Sequence, residues 1–411
     1  MCELVDIEKV KADYLEQNVK EALEKVHKVS INVIECKIKL ATVNGENFCS
    51  DIYRVNVKYA ILTETTAGGK EIHTQSLMIK DIIPEVAEIG SSELLMYDTV
   101  LPLMEEILEA SGDKVKLRPN CLLSKRDSKE IYILEDMNEL DYYVADRWLG
   151  LDEQRAMCLM GKIAKYHAAS MVLIQKFPTE VKKLPASHFA AGAADQIAHS
   201  IAIGGLEYVA DFLKTWSGFV EISRKILANK TQFNEKIKSI VNPKNSKVNV
   251  IMHGDLWVNN FLFRYDNDKK PNDVVLVDFQ NCYIGSLGID LNYFLYTSLQ
   301  LNVLKTKHLD LLKHYYNVLE DTLRMCEYQV IPSWESVLEE IRSTAFMGLY
   351  AAVCELPICC MDKKTSDGFT TATFSNPEEM AKKRKLMYNN ERVVETLKYT
   401  LHYFNNSGVL D

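Results

Sequence analysis

The densest group of potentially reactive side chains lies in the segment HGDLWVNN, residues 253–260, and in Asp278, which begins the run DFQ. The first segment follows a predicted strand, and Asp278 follows the next two predicted strands. The carboxylate of Asp255, the amide of Asn260 and the carboxylate of Asp278 can therefore converge in one crevice. Phosphoryl transfer uses such a set: one carboxylate orients a hydroxyl and accepts its proton, while an amide and a second carboxylate hold magnesium on the phosphates.

The elements that must position these residues begin with a lobe rich in β-strands. Its strands are predicted from alternating or continuous apolar runs at residues 36–40, 51–59, 76–80, 121–124 and 131–134. Gly68 and Gly69 lie in a turn-rich stretch between the second and third strands, which predicts an antiparallel hairpin. Two helices are predicted beside the strands, at residues 7–30 and 91–110, and Pro102 is expected to kink or break the second one.

The pattern changes after Met137, where we predict the boundary between two lobes. The N-terminal lobe then covers residues 1–137, and a larger, mostly helical lobe covers residues 138–411. Strands return in the second lobe at residues 248–252, 261–265 and 274–277, and the last two form a hairpin. This order of elements predicts an α+β fold.

Composition excludes several classes of protein. The 411 residues include 48 Lys and Arg against 57 Asp and Glu, so the formal net charge is −9. Such a charge repels phosphate backbones and disfavours sequence-independent binding to nucleic acid. The sequence predicts no membrane span, and its N-terminal residues lack the pattern of a signal peptide. The ten cysteines are scattered and form no C-x-x-C pair, so we expect reduced thiols and a cytoplasmic protein.

The spacing H-x-D-x-x-x-x-N followed by D-F resembles the catalytic and metal-binding loops of the protein-kinase-like superfamily. More closely, HGDLWVNN together with VLVDFQ resembles the ecdysteroid-kinase-like family, which is related to choline kinases and aminoglycoside phosphotransferases. The resemblance implies a two-lobe protein-kinase-like fold that binds ATP and Mg²⁺. It assigns Asp255 as the catalytic base and Asn260 and Asp278 as magnesium ligands.

The resemblance continues upstream and covers residues from about 40 to 297. Lys80 ends the third strand, at the position of the phosphate-contacting lysine, and Glu93 stands at the position of the family's helix glutamate. The remaining nucleotide-binding assignments are Asn44, Gly45, Asn47 and Ser50 in the loop that covers the nucleotide, and Glu135 and Met137 in the hinge between the lobes. Asp290 resembles the residue that braces the catalytic loop. His167 lies on a helix of the second lobe, where packing is the favoured interpretation.

The sequence also departs from better-known kinases. The nucleotide loop contains one glycine, Gly45, where protein kinases have three, so its grip on phosphate is less certain. Phe279 and Gln280 follow Asp278 where protein kinases have Phe-Gly, which argues against an activation switch of the protein-kinase type. No A-P-E segment follows, so a platform for peptide substrates is missing.

The leading hypothesis is therefore an ATP- and Mg²⁺-dependent kinase that phosphorylates a hydroxyl group of a small molecule. The resemblance implies an ecdysteroid or another steroid-like alcohol as acceptor. One alternative is a choline-type or aminoglycoside-type kinase for a cationic acceptor, for which candidate residues are Tyr350, Glu335, Glu339, Glu340, Glu355 and Asp362. The other is a non-catalytic protein that keeps the fold to bind a hydrophobic ligand. The acceptor pocket is expected in the helical regions 145–240 and 300–400, and the sequence leaves the oligomeric state open.

Overall fold

The N-terminal part of the chain is an antiparallel sheet with one long helix against it. The computed structural model describes residues 2–41, 50–66, 69–83, 91–127, 129–191 and 196–411. Helix α1 spans Cys2–His27, and the sheet contains strands β1 (Ile31–Leu40), β2 (Ser50–Thr66), β3 (Gly69–Ile82), β4 (Cys121–Arg126) and β5 (Glu130–Glu135). The strand order is β1-β2-β3-β5-β4, and every neighbouring pair is antiparallel. All five predicted strands are present, and the first three are longer than predicted.

Strand β2 shows why this sheet needs a covering helix. Successive residues of a strand point to opposite faces, so an alternating sequence buries one face. Val55, Val57 and Tyr59 are buried, and the residues between them are not. The buried residues join one apolar cluster with Leu15 and Val19 of α1, which lie four residues apart and therefore on one face of that helix.

Helix α2 connects the sheet to the rest of the molecule. It consists of Glu93–Leu95, a π-helical turn at Met96–Val100 and the segment Leu101–Ala110. Pro102 is the second residue after the π-helical turn. Since proline has no N–H, it cannot form the usual hydrogen bond to the residue four positions before it, and the helix changes pitch there without ending. Met96 and Met104 of α2 belong to the large buried cluster that continues through the helical part of the chain.

The C-terminal part of the chain is mostly helical. Its longer helices are α3 (Glu153–Lys176), α4 (Gln196–Leu213), α5 (Val220–Val241), α6 (Leu287–Ser298), α7 (Leu301–Met325), α8 (Trp334–Ser343), α9 (Ala345–Tyr350, continued by a π-helical turn at Ala351–Glu355 and by Leu356–Cys359), α10 (Pro377–Met387) and α11 (Glu391–Asn406). Short helical turns lie at Met137–Leu140, Pro178–Val181, His188–Ala191, Pro243–Asn245, Val258–Asn260, Lys363–Ser366 and Thr371–Phe374. This helical part and the smaller sheet confirm the predicted α+β fold with two lobes. The boundary after Met137 stays a prediction.

Two small sheets are inserted among these helices. The three-stranded sheet has the order β6-β8-β9, and the two-stranded sheet pairs β10 with β7. The strands are β6 (Tyr142–Val144), β7 (Asn249–Met252), β8 (Phe261–Tyr265), β9 (Pro271–Leu276) and β10 (Tyr283–Ser286). Strands β7, β8 and β9 were predicted, whereas β6 and β10, of three and four residues, were not.

Two further sequence predictions concern the chain as a whole. Among the described residues, no helix has both the length and the apolar content that crossing a membrane requires. The cysteines whose side chains the structure describes are free thiols, as expected for a chain without a disulfide framework.

Candidate functional site

The register of one hairpin brings the predicted metal ligands together. Strands β8 and β9 are antiparallel, and Phe261 at the start of β8 pairs with Leu276 at the end of β9. The residues just outside this pair are therefore neighbours: the Val277 N–H donates to the Asn260 carbonyl at 3.1 Å. Asn260 and Asp278, which are 18 positions apart in the sequence, lie at the same end of the hairpin for this reason.

Asp255 is held by two hydrogen-bond donors. The Asn260 side-chain amide donates to the backbone carbonyl of Asp255 at 2.9 Å and to its Oδ2 at 3.1 Å. The hydroxyl of Tyr293, on α6, donates to Oδ1 at 3.1 Å. Sequence reasoning missed Tyr293, because a single tyrosine on an apolar helix carries no signal of contact with a loop 38 residues away.

The protein environment makes Asp255 a weaker acid than usual. Although this side chain is partly open to the cavity, burial raises its pKa to about 8, and the negative charges of Asp278 and Glu355 act in the same direction. The hydrogen bonds from Tyr293 and Asn260 oppose this change. A carboxylate with a pKa raised in this way is a suitable proton acceptor near neutral pH.

Lys80 lies between two carboxylates. Its Nζ is 2.6 Å from Glu93 Oε2 and 2.7 Å from Asp278 Oδ1, and the Lys80 side chain is buried. Burial alone would lower the pKa of Lys80, but Asp278 and Glu93 outweigh it and raise that pKa. Burial raises the pKa of the Glu93 carboxyl, and the charge of Lys80 opposes this. The structure thus joins Lys80, Glu93 and Asp278, which the sequence resemblance identified one by one.

Asp290, near the start of α6, holds the loop that carries Asp255. Asp290 accepts hydrogen bonds from the N–H of His253 at 2.7 Å and from the N–H of Gly254 at 2.9 Å. His167 Nε2 lies 3.2 Å from the same carboxylate, and its Nδ1 is 2.7 Å from the Tyr315 hydroxyl. Asp290 therefore braces the loop as predicted, and His167 is a buried packing residue that supports it.

His253 orders the loop from the other side. Its Nε2 lies 3.0 Å from the Val277 carbonyl and donates to it. The ring is buried, and burial lowers the pKa of this histidine. A neutral histidine that links Val277 to the Asp255 loop agrees with the predicted structural role.

One cavity of about 860 Å³ lies between the sheet and the helical part. Its lining includes the following residues of the predicted site: Lys80, Glu93, Glu135, Met137, Asp255, Asn260 and Asp278. Asn44, Gly45 and Asn47 lie outside the described residues. Ser50 is buried at the start of β2, and its role in nucleotide binding stays a prediction.

The hinge at residues 134–138 contains a network that the sequence did not predict. Asp136 accepts hydrogen bonds from Arg54 Nε at 2.8 Å, from the Ser76 hydroxyl at 2.7 Å and from the Asn138 N–H at 3.1 Å. Glu135 is engaged separately, by Lys116 Nζ at 2.7 Å. Strands β2 and β3 are thus tied to the hinge through side chains, which fixes one wall of the cavity.

The donor set suits magnesium bound together with a phosphorylated ligand. The Asn260 amide nitrogen is committed to Asp255, and its amide oxygen accepts no hydrogen bond from the described residues. Asp278 uses one oxygen for Lys80. The described residues contain no group of three or more His, Cys, Asp or Glu side chains that would hold a metal by themselves. Magnesium commonly takes one or two protein oxygens and completes its shell with phosphates and water, so this set fits it.

Two of the acids named for a cationic acceptor have structural roles. Glu340 is buried and accepts the Lys247 N–H at 2.7 Å, and Asp362 accepts the Thr365 N–H at 2.6 Å. Glu355 is different, because its charge contributes to the raised pKa of Asp255. The Tyr350 hydroxyl donates to Glu355.

The comparison of the sequence with models of known protein families gives a match. Residues 44–328 match the model of the ecdysteroid kinase-like family, which is more than half of the chain and includes Lys80, Asp255 and Asp278. A comparison with curated proteins found no match.

Proposed function

Because the chain belongs to the ecdysteroid kinase-like family, we propose that it is an ATP- and Mg²⁺-dependent kinase that phosphorylates a hydroxyl group of a small molecule. The acceptor that we propose is an ecdysteroid or another steroid-like alcohol. The observation that carries this proposal is the network in which Lys80 bridges Glu93 and Asp278. Asp278 lies at the same end of the hairpin as Asn260, whose side chain holds Asp255.

The residues of the network divide the work of phosphoryl transfer. Lys80, held by Glu93, offers a fixed positive charge for the phosphates of the nucleotide. Asp255 orients the acceptor hydroxyl and accepts its proton while the oxygen forms a bond to the γ-phosphorus and the bond from that phosphorus to the leaving ADP oxygen breaks. Asn260 and Asp278 would hold Mg²⁺, which supplies neutralising charge on the phosphates when it is bound.

The network also bears on the non-catalytic alternative. A protein that only bound a hydrophobic ligand would have no use for a buried lysine between two carboxylates, since removing such charges from water is costly. Binding of a hydrophobic ligand alone does not explain why Asn260 holds Asp255 next to this group. We therefore favour an enzyme over a ligand-binding protein.

Acceptor phosphorylation is the test of this proposal. The purified protein is incubated with Mg·ATP and a panel of steroid, choline, aminoglycoside and xenobiotic alcohols, and a mass gain of one phosphoryl group is detected. We expect a phosphorylated product with a steroid-like alcohol. Asp255→Asn and Asp278→Ala should each abolish its formation, and loss of the proton acceptor should lower the turnover at least about 100-fold. Asp268→Asn, at an exposed position of the β8–β9 turn, is the matched control.

The outcomes of this panel separate the hypotheses. Product from choline or an aminoglycoside alone would favour the cationic acceptor. Unchanged turnover in purified Asp255→Asn or Asp278→Ala would refute the mechanism, and no product with any member, together with no binding of Mg·ATP, would favour the non-catalytic protein.

A further inference from the structure

The cavity contains an arginine that phosphoryl transfer does not use. Arg147 lines the cavity, and its side chain is only 7% exposed. The guanidinium forms no hydrogen bond and no ion pair with any described residue. It lies over the Trp148 ring, with Cζ 5.8 Å from the ring centroid. A guanidinium is always charged and carries five N–H donors. Since an unpaired buried charge is costly, a ligand with oxygen acceptors would bind favourably to this guanidinium.

The other cations in the cavity lining already have partners. Lys80 is paired with Glu93 and Asp278, and Arg54 is paired with Asp136. Among the described residues that line the cavity, Arg147 is therefore the cationic side chain without a counter-ion.

The backbone around Arg147 is anchored to the helices that support Asp255. Arg392 Nη1 donates to the Arg147 carbonyl at 2.6 Å, and Arg392 Nη2 donates to the Thr297 carbonyl at 3.0 Å, near the end of α6. The same helix carries Tyr293, the hydrogen-bond donor to Asp255. Arg147 thus belongs to the helical wall that holds the proposed proton acceptor, whereas Lys80 belongs to the sheet. This places Arg147 on the acceptor side of the cavity.

Large apolar side chains line the same cavity as Arg147. Tyr143, Val144 and Trp148 also line the cavity and remain 48%, 50% and 46% exposed, and Trp257 lines it as well. The Trp148 ring is held in place by a hydrogen bond of 2.8 Å from its Nε1 to the Met361 carbonyl. Large apolar side chains that stay exposed at the wall of a cavity are typical of contacts with the apolar part of a ligand.

We propose that Arg147 and Trp148 form an acceptor subsite for apolar alcohols that also carry an oxyanion, such as a carboxylate or a sulfate. The guanidinium forms a bidentate pair with the oxyanion, and the indole packs on the apolar skeleton. The hydroxyl to be phosphorylated then points to Asp255. This inference rests on the proposed function and defines the acceptor class more narrowly.

Binding of matched acids and esters tests the subsite without requiring turnover. Cholate, lithocholate and 12-hydroxydodecanoate are each compared with their methyl esters by titration calorimetry on the full-length protein. We expect at least one acid to bind about tenfold more tightly than its ester, as one charge-assisted pair provides. Arg147→Met should remove this difference, Arg147→Lys should keep part of it, and Arg342→Met, at an exposed position on α8, should leave it unchanged.

Further measurements make the outcome decisive. The melting temperature of Arg147→Met is recorded first, because a change of ligand preference in a folded variant is not explained by loss of structure. Equal affinity for every acid and its ester, or no binding of any of them, would refute the subsite. A loss of Mg·ATP affinity in Arg147→Met with the acid preference intact would also refute it, since Arg147 would then bind the nucleotide. Acid binding without any stabilisation by Mg·ATP would leave the subsite standing and contradict the kinase.

Discussion

At this site, the carboxylates of Glu93 and Asp278 share a single cationic partner, Lys80. Two carboxylates contact the single Lys80 ammonium, so the buried group carries a net charge of −1 when all three are ionised. Glu93 Oε1 is buried and has no hydrogen-bond partner among the described residues. Removing three charges from water costs several kcal/mol, and pairing repays it only in part. The group is therefore better explained by the binding of a polyphosphate with a cation than by stability.

At the residue scale, we predict that Lys80→Met is destabilised and that Glu93→Gln relieves the defect. Losing the ammonium leaves the buried Glu93 carboxylate and the partly buried Asp278 carboxylate without a counter-ion, which should lower the free energy of unfolding by about 3 kcal/mol. The double variant Lys80→Met/Glu93→Gln removes one of these charges and should recover part of that loss in urea unfolding. Neither variant should be stabilised by Mg·ATP, and normal Mg·ATP binding by Lys80→Met would contradict the assigned role of Lys80.

At the scale of elements, the loop that carries Asp255 depends on a sharp turn between β7 and the hairpin of β8 and β9. Gly254 has φ = +78°, a region that residues with a side chain seldom adopt. A Cβ added there would lie 2.3 Å from the Asn281 carbonyl oxygen. The Gly254 N–H is bound to Asp290, so the turn cannot move away without losing that bond. Conformation and close approach together require glycine directly before Asp255.

We predict that Gly254→Ala lowers both stability and turnover. The positive φ should cost about 1 kcal/mol, and the contact with Asn281 should add more and displace Asp255. Gly112→Ala is the matched control, because Gly112 has φ = +91° but no atom within 4 Å of an added Cβ. Unfolding free energies and turnover of both variants are compared, and equal effects on turnover would show that the Asn281 contact does not matter.

A second contact between elements gives a prediction that depends on pH. Asp273 on β9 accepts hydrogen bonds from Tyr142 of β6 at 2.5 Å and lies 2.9 Å from Lys162 Nζ of α3. Burial alone would raise the pKa of Asp273, but Lys162 and Tyr142 outweigh it and lower that pKa. A carboxyl with a lowered pKa in the folded state stabilises the protein above its unfolded pKa, and this contribution is lost as the pH falls through the folded value.

We therefore predict that Asp273→Asn is less stable than the wild type by about 2 kcal/mol at pH 7. The difference should stay constant between pH 8 and 5 and begin to shrink below about pH 4, where the carboxyl of the unfolded chain becomes protonated. It should vanish at lower pH, as the folded carboxyl is protonated in turn. Urea unfolding of both proteins over this pH range measures it. A difference that does not change with pH would mean that packing, and not charge, makes the contribution of Asp273.

At the scale of the whole molecule, the net charge of the chain has the same sign as the proposed substrate ATP, so binding must depend on local charges. The chain carries −9 and would repel a polyanion such as ATP at long range. In the cavity, Asp255 and Asp278 add negative charge, and Lys80 and Arg147 are the cations that we assign to ligands. Under the proposed function, magnesium would neutralise part of the negative charge on the phosphates.

We predict that ATP stabilises the protein only in the presence of Mg²⁺. At a free concentration of 100 times its Kd, Mg·ATP should raise the free energy of unfolding by about 2.7 kcal/mol. The melting temperature is measured with Mg·ATP, with Mg²⁺ alone and with ATP in excess chelator. We expect a clear rise in the first sample, and tight binding of ATP in chelator would contradict the proposed charge arrangement.

The sequence by itself determined the parts of this protein that depend on neighbours along the chain. Alternating or continuous apolar runs identified all five strands of the N-terminal sheet, since the burial of strand residues is encoded residue by residue. The motif around Asp255 and the later Asp278 identified the family, because a loop and a hairpin keep their residues at fixed spacing. The very short strands β6 and β10 were missed, because three or four residues give too few periods to recognise.

Only the tertiary structure decided which distant side chains meet. Lys80 contacts Asp278 across 198 positions of sequence, and Arg54 contacts Asp136 across 82. Tyr293 and Arg147 gave no sequence signal at all. The contact of Tyr293 depends on how α6 lies under the loop, and Arg147 stands out only because its guanidinium has no hydrogen bond or ion pair with another described residue. A pairing over such a separation depends on the packing of every element between the two residues, and no local pattern encodes that packing.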